Sequence, residues 1–213
     1  MIQFIKNNLL WKDGKYIAIL LSILSIVSLF FFKPLLLIIL PIFFFCLYFF
    51  RNPERICFEL FSDDSILVCP ADGKVVDISK ENIENYAQKV SIFLSPLDVH
   101  VNWLPTYGKI KEINYRPGKF IVAYAPKSSE LNERNDIIIE NNKGQILVRQ
   151  IAGFAARRIC CWVETCDSVE AGQKFGMIRF GSRVDILFPS NVKISVKIGQ
   201  KVKGGETILG RWL

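Results

Sequence analysis

Two apolar runs near the N-terminus constrain the fold of this chain more than any other feature of its sequence. Residues 16–32 and 35–50 carry no charged side chain, and the pair Lys33-Pro34 separates them. A single helix over both runs would be about 52 Å long, whereas the hydrocarbon core of a bilayer is roughly 30 Å thick. The length therefore favours a transmembrane helical hairpin with its turn at Lys33-Pro34, and one tilted or kinked span is the alternative.

Basic residues flank the apolar runs on both sides. The flanking cations are Lys6, Lys12, Lys15, Arg51 and Arg55. Because cytoplasmic flanks of membrane segments are enriched in lysine and arginine, we expect both ends of the hairpin on the cytoplasmic side of the cell membrane. A cleaved signal peptide would have a shorter apolar region followed by small residues. We therefore predict a membrane anchor over residues 1–55 and a cytoplasmic domain over residues 56–213.

Charge and cysteine content limit the other partners. A formal net charge of +7 suits a domain held against anionic lipid. Basic chains also bind nucleic acid, but the sequence has no recognition-helix pattern, zinc spacing or RNP-like aromatic motif, so we expect no nucleic acid. The six cysteines form no Cys-x-x-Cys pair and there is one histidine, so we expect reduced thiols, no disulfide and no metal site.

Short apolar stretches and turns alternate from about residue 56 onward, which is the pattern of β-strands. The clearest predicted strands are residues 74–78, 89–94, 120–124, 136–140, 145–151, 158–163, 176–180, 183–188 and 192–196. Residues 141–144 (NNKG) predict a hairpin turn with Gly144 at a positive φ. Helical periodicity is scarce here, so we predict a mainly β domain, a β-dominated α+β fold.

One segment of the chain occurs twice in similar form. Residues 168–175 (SVEAGQKF) return as residues 195–202 (SVKIGQKV). These turns, and the strand that begins at Ala71-Asp72-Gly73, resemble lipoyl- and biotinyl-carrier domains, which implies a carrier-like sandwich. Carriers attach their cofactor to a lysine at a hairpin tip, whereas this chain has Phe180-Gly181-Ser182-Arg183 there. We therefore expect the fold without the carrier function.

Three positions have side chains suited to catalysis. A serine that follows glycine, as in Gly181-Ser182, is a backbone site that can cleave itself, because glycine leaves its carbonyl open to attack by the serine Oγ. His100 is the one histidine of the chain, and histidine is the residue type best suited to proton transfer near neutral pH. Asp72 is a carboxylate at a turn beside a strand. Each also has a structural explanation, respectively a Gly-Ser turn, a core histidine and an Asx turn.

Four motifs that include these positions occur in order along the chain. They are Pro70-Ala71-Asp72-Gly73, Ser95-Pro96-Leu97-Asp98-Val99-His100-Val101-Asn102, Gln150-Ile151-Ala152-Gly153 with Arg157-Arg158, and Arg179-Phe180-Gly181-Ser182-Arg183-Val184-Asp185. Together they resemble the phosphatidylserine decarboxylase family, in the short prokaryotic form of its proenzyme. The resemblance covers the chain from about residue 50 to residue 213.

The resemblance implies that the chain cleaves itself between Gly181 and Ser182. The Ser182 Oγ would attack the Gly181 carbonyl to form an ester, and elimination would release a large chain, residues 1–181. Residue 182 would become a pyruvoyl cofactor at the start of a small chain, residues 182–213, that stays associated. As the Schiff-base site, it would accept electrons while phosphatidylserine loses CO₂ and becomes phosphatidylethanolamine. Pyridoxal phosphate does similar chemistry, but nothing in the sequence identifies its lysine or phosphate site.

The resemblance also implies roles for His100 and Asp72. His100 would act in decarboxylation and proton transfer, and Asp72 would orient or activate a base for self-cleavage. Longer members of the family have a second histidine three positions after the first, where this chain has Trp103. A Ser-His-Asp triad built on that second histidine is therefore excluded. Either His100 serves both steps with Asp72, or strain at Gly181-Ser182 and oxyanion stabilisation contribute more.

Three further residues are candidates for binding the substrate. Arg157 or Arg158 would hold the phosphate or carboxylate of phosphatidylserine, and Phe154 would face an acyl chain. A solvated basic pair and a core phenylalanine are the alternatives. The substrate lies in the membrane, since each CH₂ exposed to water costs about 0.8 kcal/mol, and this explains the anchor. The assignment is also compatible with a homo-oligomer.

Two other functions fit parts of the pattern. An uncleaved, membrane-anchored adaptor module with a carrier-like fold would explain the sandwich and the anchor, and it predicts an intact chain. A pyruvoyl decarboxylase that acts on a soluble amino acid would leave the apolar hairpin without a purpose. A membrane-bound lyase of phospholipid biosynthesis, made as a self-cleaving zymogen, is therefore the favoured prediction.

Overall fold

Apolar helices form the first of two units in the chain, which meet between Glu54 and Arg55. The structure is a computed structural model that describes residues 12–83, 85–118, 132–153, 159–178 and 182–213. In the first unit, helix α1 (Lys12–Phe31) and helix α2 (Leu36–Phe49) are joined by a 3-10 turn (Lys33–Leu35).

The two helices reverse direction at Pro34. Pro34 lies in the 3-10 turn, where its lack of a backbone N–H is tolerated, and the break falls where the sequence predicts it. The helices contact each other, and a Cβ added at Gly14 would clash with Phe50, so the start of α1 lies beside the end of α2. Among the described residues one helix, Gly14–Phe31, is long and apolar enough to cross a membrane, with a mean hydropathy of 2.0. This unit is compatible with membrane association.

Strands dominate the second unit. After a 3-10 turn (Phe58–Phe61), the described strands are β1 (Ile66–Val68), β2 (Gly73–Ile83), β3 (Tyr86–Leu94), β4 (Val101–Trp103), β5 (Gly108–Arg116), β6 (Arg134–Asn141), β7 (Gly144–Ala152), β8 (Ile159–Cys161), β9 (Ser168–Val169), β10 (Lys174–Ile178), β11 (Ser182–Phe188), β12 (Val192–Ile194), β13 (Lys201–Val202) and β14 (Ile208–Trp212). The predicted mainly β fold is confirmed. The predicted strand over residues 120–124 lies outside the described residues, and the carrier-like sandwich stays a prediction.

The described strands form three antiparallel sheets. Their orders are β13-β2-β3-β11-β7-β6-β5-β9, β4-β10-β8 and β1-β14-β12. In the largest sheet β11 lies between β3 and β7, and all of its residues are buried. Val184, Ile186 and Phe188 alternate along β11 and face the main hydrophobic core, to which the three sheets contribute. The strand that begins at Ser182 is therefore central to the fold.

The duplicated segment folds into two turns with the same geometry. Gly172 and Gly199 have φ angles of 78° and 87°, a left-handed conformation that favours glycine. In each turn the glutamine Oε1 accepts a backbone N–H three residues earlier, at 3.0 Å for both Gln173 and Gln200. The predicted hairpin at residues 141–144 is also confirmed, with Gly144 at a φ of 147°.

Candidate active site

Ser182 begins β11 inside the eight-stranded sheet. It pairs with Leu94 of β3 on one side and with Ala152 of β7 on the other. Because side chains alternate along a strand, Ser182 shares the core-facing side of β11 with Val184. The serine singled out from the sequence is therefore an interior residue at the start of a central strand.

Among the described residues, the hydroxyl of Ser182 lacks the hydrogen bonds expected of a structural serine. It is buried, and its Oγ has no hydrogen-bond partner within the described part of the chain. Leaving a buried hydroxyl unpaired costs about 1–3 kcal/mol, a cost that alanine would avoid. The contacts of the described residues therefore do not explain why a hydroxyl stands at this position.

His100 is fully buried just before β4, and its ring contacts the backbone of Asp98. Nδ1 lies 2.8 Å from the backbone oxygen of Asp98. A carbonyl oxygen accepts hydrogen bonds, so Nδ1 carries the hydrogen, and Nε2 is then the basic nitrogen of the neutral ring. The contact therefore selects the tautomer in which Nε2 can take up a proton.

A short turn connects His100 to the strand beside Ser182. The Asp98 carboxylate accepts the Ser95 N–H at 2.8 Å, and the Asp98 N–H donates to the Ser95 oxygen at 2.9 Å. The turn follows directly after Leu94, the residue that pairs with Ser182. Asp98 therefore stabilises this turn through both its side chain and its backbone.

A second connection runs through β10. The Ile178 N–H donates to the His100 oxygen at 3.2 Å, so the last residue of β10 lies against the histidine backbone. Ser182 follows Ile178 by four positions, a stretch that spans at most about 14 Å. Together, the two connections bring the backbone segments of His100 and Ser182 to the same end of the large sheet.

Asp72 lies just before β2 and has a different set of partners. Arg55 donates to both carboxylate oxygens, with 2.9 Å between Nη2 and Oδ2. The Gly204 N–H donates to Oδ1 at 2.9 Å. Among the described residues, no hydrogen bond of the Asp72 carboxylate goes to Ser182 or His100. The described contacts thus connect the His100 segment to strands β3 and β10, whereas they join Asp72 to Arg55 and Gly204, a group that we call the Asp72 corner.

Trp103 lies against this corner and is fully buried. The Arg55 guanidinium carbon is 4.8 Å from the centre of the indole ring, within the range of a cation–π contact. Nearby, burial raises the pKa of the Cys69 thiol to about 12, and the charge of Asp72 adds to the increase. The corner is therefore a desolvated region in which Arg55 supplies the positive charge opposite Asp72.

A chain of buried amides links the sheet next to His100 with the sheet that holds Ser182. The Gln150 Nε2 donates to the Asn102 Oδ1 at 2.8 Å, and the Asn135 Nδ2 donates to the Gln150 Oε1 at 3.1 Å. Asn102 is on β4, two residues after His100, and Gln150 is on β7, beside β11. The amide chain therefore ties together the two sheets from which the candidate site is built.

Comparison with known proteins identifies the family. The family model described as phosphatidylserine decarboxylase matches residues 42–210. This chain belongs to the phosphatidylserine decarboxylase family. The match includes Asp72, His100 and Ser182 and begins within the apolar helix α2.

Individual members of the phosphatidylserine decarboxylase family match over most of their length. The chain is 41% identical over 211 residues to the phosphatidylserine decarboxylase proenzyme of Syntrophus aciditrophicus (strain SB), covering 96% of this chain and 98% of that protein. It is 46% identical over 172 residues to that of Desulfotalea psychrophila, covering 78% and 79%. It is 47% identical over 171 residues to that of Chlorobium phaeobacteroides, covering 79% of each.

Four of the predicted site residues of this decarboxylase family member lie outside the described residues. They are Gly181, Phe154, Arg157 and Arg158. Conversely, sequence reasoning missed Arg55, which it treated only as a flanking cation, and Gln150 as a link between sheets. Neither has a local signal, because their partners are 17 and 48 positions away.

Proposed function

We propose that this protein is a self-cleaving, membrane-bound phosphatidylserine decarboxylase that forms phosphatidylethanolamine and CO₂. The observation that carries the proposal is the buried Ser182 hydroxyl at the start of β11, unpaired among the described residues, in a member of this family. Relatives named as proenzymes support processing of the chain into two parts. We place the cut between Gly181 and Ser182.

Self-cleavage would proceed at the Gly181-Ser182 peptide bond. The Ser182 Oγ bonds to the Gly181 carbonyl carbon, the carbon–nitrogen bond breaks, and the Oγ proton moves to the nitrogen. Loss of the Ser182 α-proton then breaks the Cβ–Oγ bond and releases Gly181 as a carboxylate. Water replaces the nitrogen, which leaves as ammonia, and residue 182 becomes a pyruvoyl group. The products are a large chain of residues 1–181 and a small chain of residues 182–213.

His100 is the proposed proton carrier. Its contact with the Asp98 oxygen makes Nε2 the basic nitrogen, suited to taking the Oγ proton during cleavage and to returning a proton to the substrate carbon. Asp72 is proposed as an orienting carboxylate that acts on self-cleavage only through the local structure, because its hydrogen bonds among the described residues go to Arg55 and Gly204. This division of roles accounts for self-cleavage without a histidine at position 103.

The position of residue 182 suits the covalent cofactor. A pyruvoyl group there supplies the electron sink that the carbanion needs when CO₂ leaves. The buried end of β11 would exclude water from it, and Leu94 and Ala152 on the adjacent strands would hold its backbone in register. Arg157 or Arg158 for the headgroup and Phe154 for an acyl chain remain our proposed substrate contacts.

The apolar helices supply access to the substrate. A two-chain lipid does not leave the bilayer readily, at about 0.8 kcal/mol per exposed CH₂, so the enzyme has to work at the membrane. We propose that residues 1–55 anchor the protein in the cell membrane and that residues 56–213 lie on the cytoplasmic side. The basic residues at both ends of the apolar region support this orientation.

The intact mass of the full-length protein purified in detergent tests the proposal. We expect two chains whose masses correspond to a break at Gly181-Ser182, with no free amino group at the start of the smaller chain. A single uncut chain that fails to release CO₂ from phosphatidylserine vesicles would instead support the uncleaved adaptor module.

A further inference from the structure

The Asp72 corner joins segments that self-cleavage would divide between two chains. Arg55 and Asp72 belong to the large chain, and Gly204 belongs to the small chain. Both backbone polar groups of Gly204 are used, since its N–H donates to the Asp72 Oδ1 at 2.9 Å and its oxygen accepts from the Arg55 Nη1 at 2.8 Å. An acceptor and a donor of the large chain thus hold one residue of the small chain.

The two charged side chains are buried and complementary. The side chain of Arg55 is 8% exposed and that of Asp72 is 11% exposed. The arginine fork allows Arg55 to pair with both carboxylate oxygens and still reach the Gly204 oxygen, which the single ammonium of lysine cannot reproduce. Because water is largely excluded, these hydrogen bonds gain strength from the low local dielectric.

The shape of the corner also requires glycine at position 204. A Cβ added there would lie 2.6 Å from the Trp103 Cζ3 and 3.0 Å from the Ala71 Cα, closer than packed atoms tolerate. The next residue, Gly205, has a φ of 74° and donates its N–H to the Cys69 oxygen at 2.8 Å. Trp103 therefore packs directly against the Gly204 segment, and the Arg55 guanidinium lies over the indole ring of Trp103.

The adjoining part of the small chain also has backbone contacts with the large chain. The Val75 N–H donates to the Gln200 oxygen at 2.9 Å, and the Gly199 N–H donates to the Val75 oxygen at 2.8 Å. Beyond the corner, the Cys69 N–H donates to the Thr207 oxygen at 2.8 Å. Strand β13 lies at the edge of the large sheet and pairs with β2 through two residues, Lys201 opposite Lys74 and Val202 opposite Gly73. A strand this short at a sheet edge adds little stability by itself. The polar contacts of the Asp72 corner lie directly beyond it and secure the same segment.

We infer that Arg55 and Asp72 act as a clasp that holds the Gly204 segment of the small chain on the large chain after self-cleavage. The inference rests on the proposed cleavage at Gly181-Ser182. It makes Arg55 and Asp72 positioning residues, and it gives the aspartate of the family motif a retention role in this chain.

Release of the small chain from the cleaved, detergent-purified protein tests the clasp. Arg55→Met should cleave itself but lose the small chain at least about tenfold faster in moderate urea, as followed by size-exclusion chromatography and intact mass. Arg55→Lys, which keeps the charge but not the fork, should fall between Arg55→Met and the wild type. Gly204→Ala should also speed release, although both charges are intact.

Lys111→Met is the matched control, because it removes a cation from an exposed ion pair with Glu140, and it should release the small chain at the wild-type rate. The pH profile of self-cleavage separates retention from chemistry and should be unchanged in Arg55→Lys. If Arg55→Met and Gly204→Ala both released the small chain at the wild-type rate, the clasp would be overturned. It would also be overturned if both variants folded but did not cleave themselves. An uncut wild-type protein would instead refute the proposed function itself.

Discussion

Ser182 and Asp72 are both buried polar residues at the ends of strands in one sheet, but their surroundings are opposite. The Asp72 carboxylate accepts hydrogen bonds on both oxygens from Arg55 and on one of them from the Gly204 N–H, as a structural anchor does. The Ser182 Oγ has no hydrogen-bond partner among the described residues. A buried carboxylate whose oxygens are all hydrogen-bonded suits a structural role. A buried hydroxyl without a hydrogen-bond partner is instead available to react as a nucleophile.

Ser182→Ala gives the largest expected effect. Without Oγ no ester can form at Gly181, so we expect no cleavage in mass spectra and no CO₂ release from phosphatidylserine vesicles. Ser91→Ala is a matched control, because Ser91 is also fully buried and its hydroxyl has no partner among the described residues. If Ser91→Ala also abolished cleavage, an unpaired buried serine would not by itself distinguish the reactive position.

His100→Ala should lower the rates of self-cleavage and of decarboxylation by about 10²- to 10⁴-fold, the usual range for loss of a general acid or base. Added imidazole should restore part of either rate if the role is proton transfer, since the substitution leaves a space at Nε2. Quenched time courses analysed by intact mass give the first rate, and CO₂ release by the slowly matured protein gives the second. Wild-type rates for both would remove His100 from the site.

Candidate reactive residues can be chosen from the sequence, whereas the contacts that surround them cannot. Gly181-Ser182 and His100 are identifiable because few residue types support their chemistry, and the hairpin at residues 141–144 has a local turn signal. By contrast, Arg55 reaches Asp72 across 17 positions, and Gln150 reaches Asn102 across 48. These contacts depend on how non-sequential strands such as β11 and β3 pair, and the strand periodicity of a sequence does not specify that pairing.

Gln150→Leu should slow self-cleavage less than either Ser182→Ala or His100→Ala. It would leave the Asn102 and Asn135 amides without their shared partner, at a cost of about 1–3 kcal/mol in the free energy of unfolding. Because the link ties β4 to β7, we also expect self-cleavage to slow by about tenfold, from a shift of His100 relative to Ser182. Chemical denaturation and cleavage time courses measure the two effects.

Gln145→Leu serves as the control for that change, since Gln145 is on the same strand but its side chain bonds the partly exposed Glu140 at the hairpin. Both its stability and its cleavage rate should stay close to wild type. An equal loss of cleavage in the two variants would mean that the buried amide chain does not position the site.

The smallest expected effect is on the ionisation and labelling of the Cys69 thiol. Its reactivity reports whether the Asp72 corner stays inaccessible to solvent. Burial raises its pKa to about 12 from an ordinary value of 9.0, so the folded state keeps the neutral thiol. This contribution to stability is complete below pH 9 and is lost as the pH rises towards 12, because the unfolded chain releases its proton first. At pH 8, iodoacetamide should label the exposed Cys166 while Cys69 stays unmodified in the folded protein. If Cys69 and Cys166 were labelled at similar rates, the Asp72 corner would open readily to solvent. The contrast between a buried, fully hydrogen-bonded Asp72 and an unpaired Ser182 would then not hold.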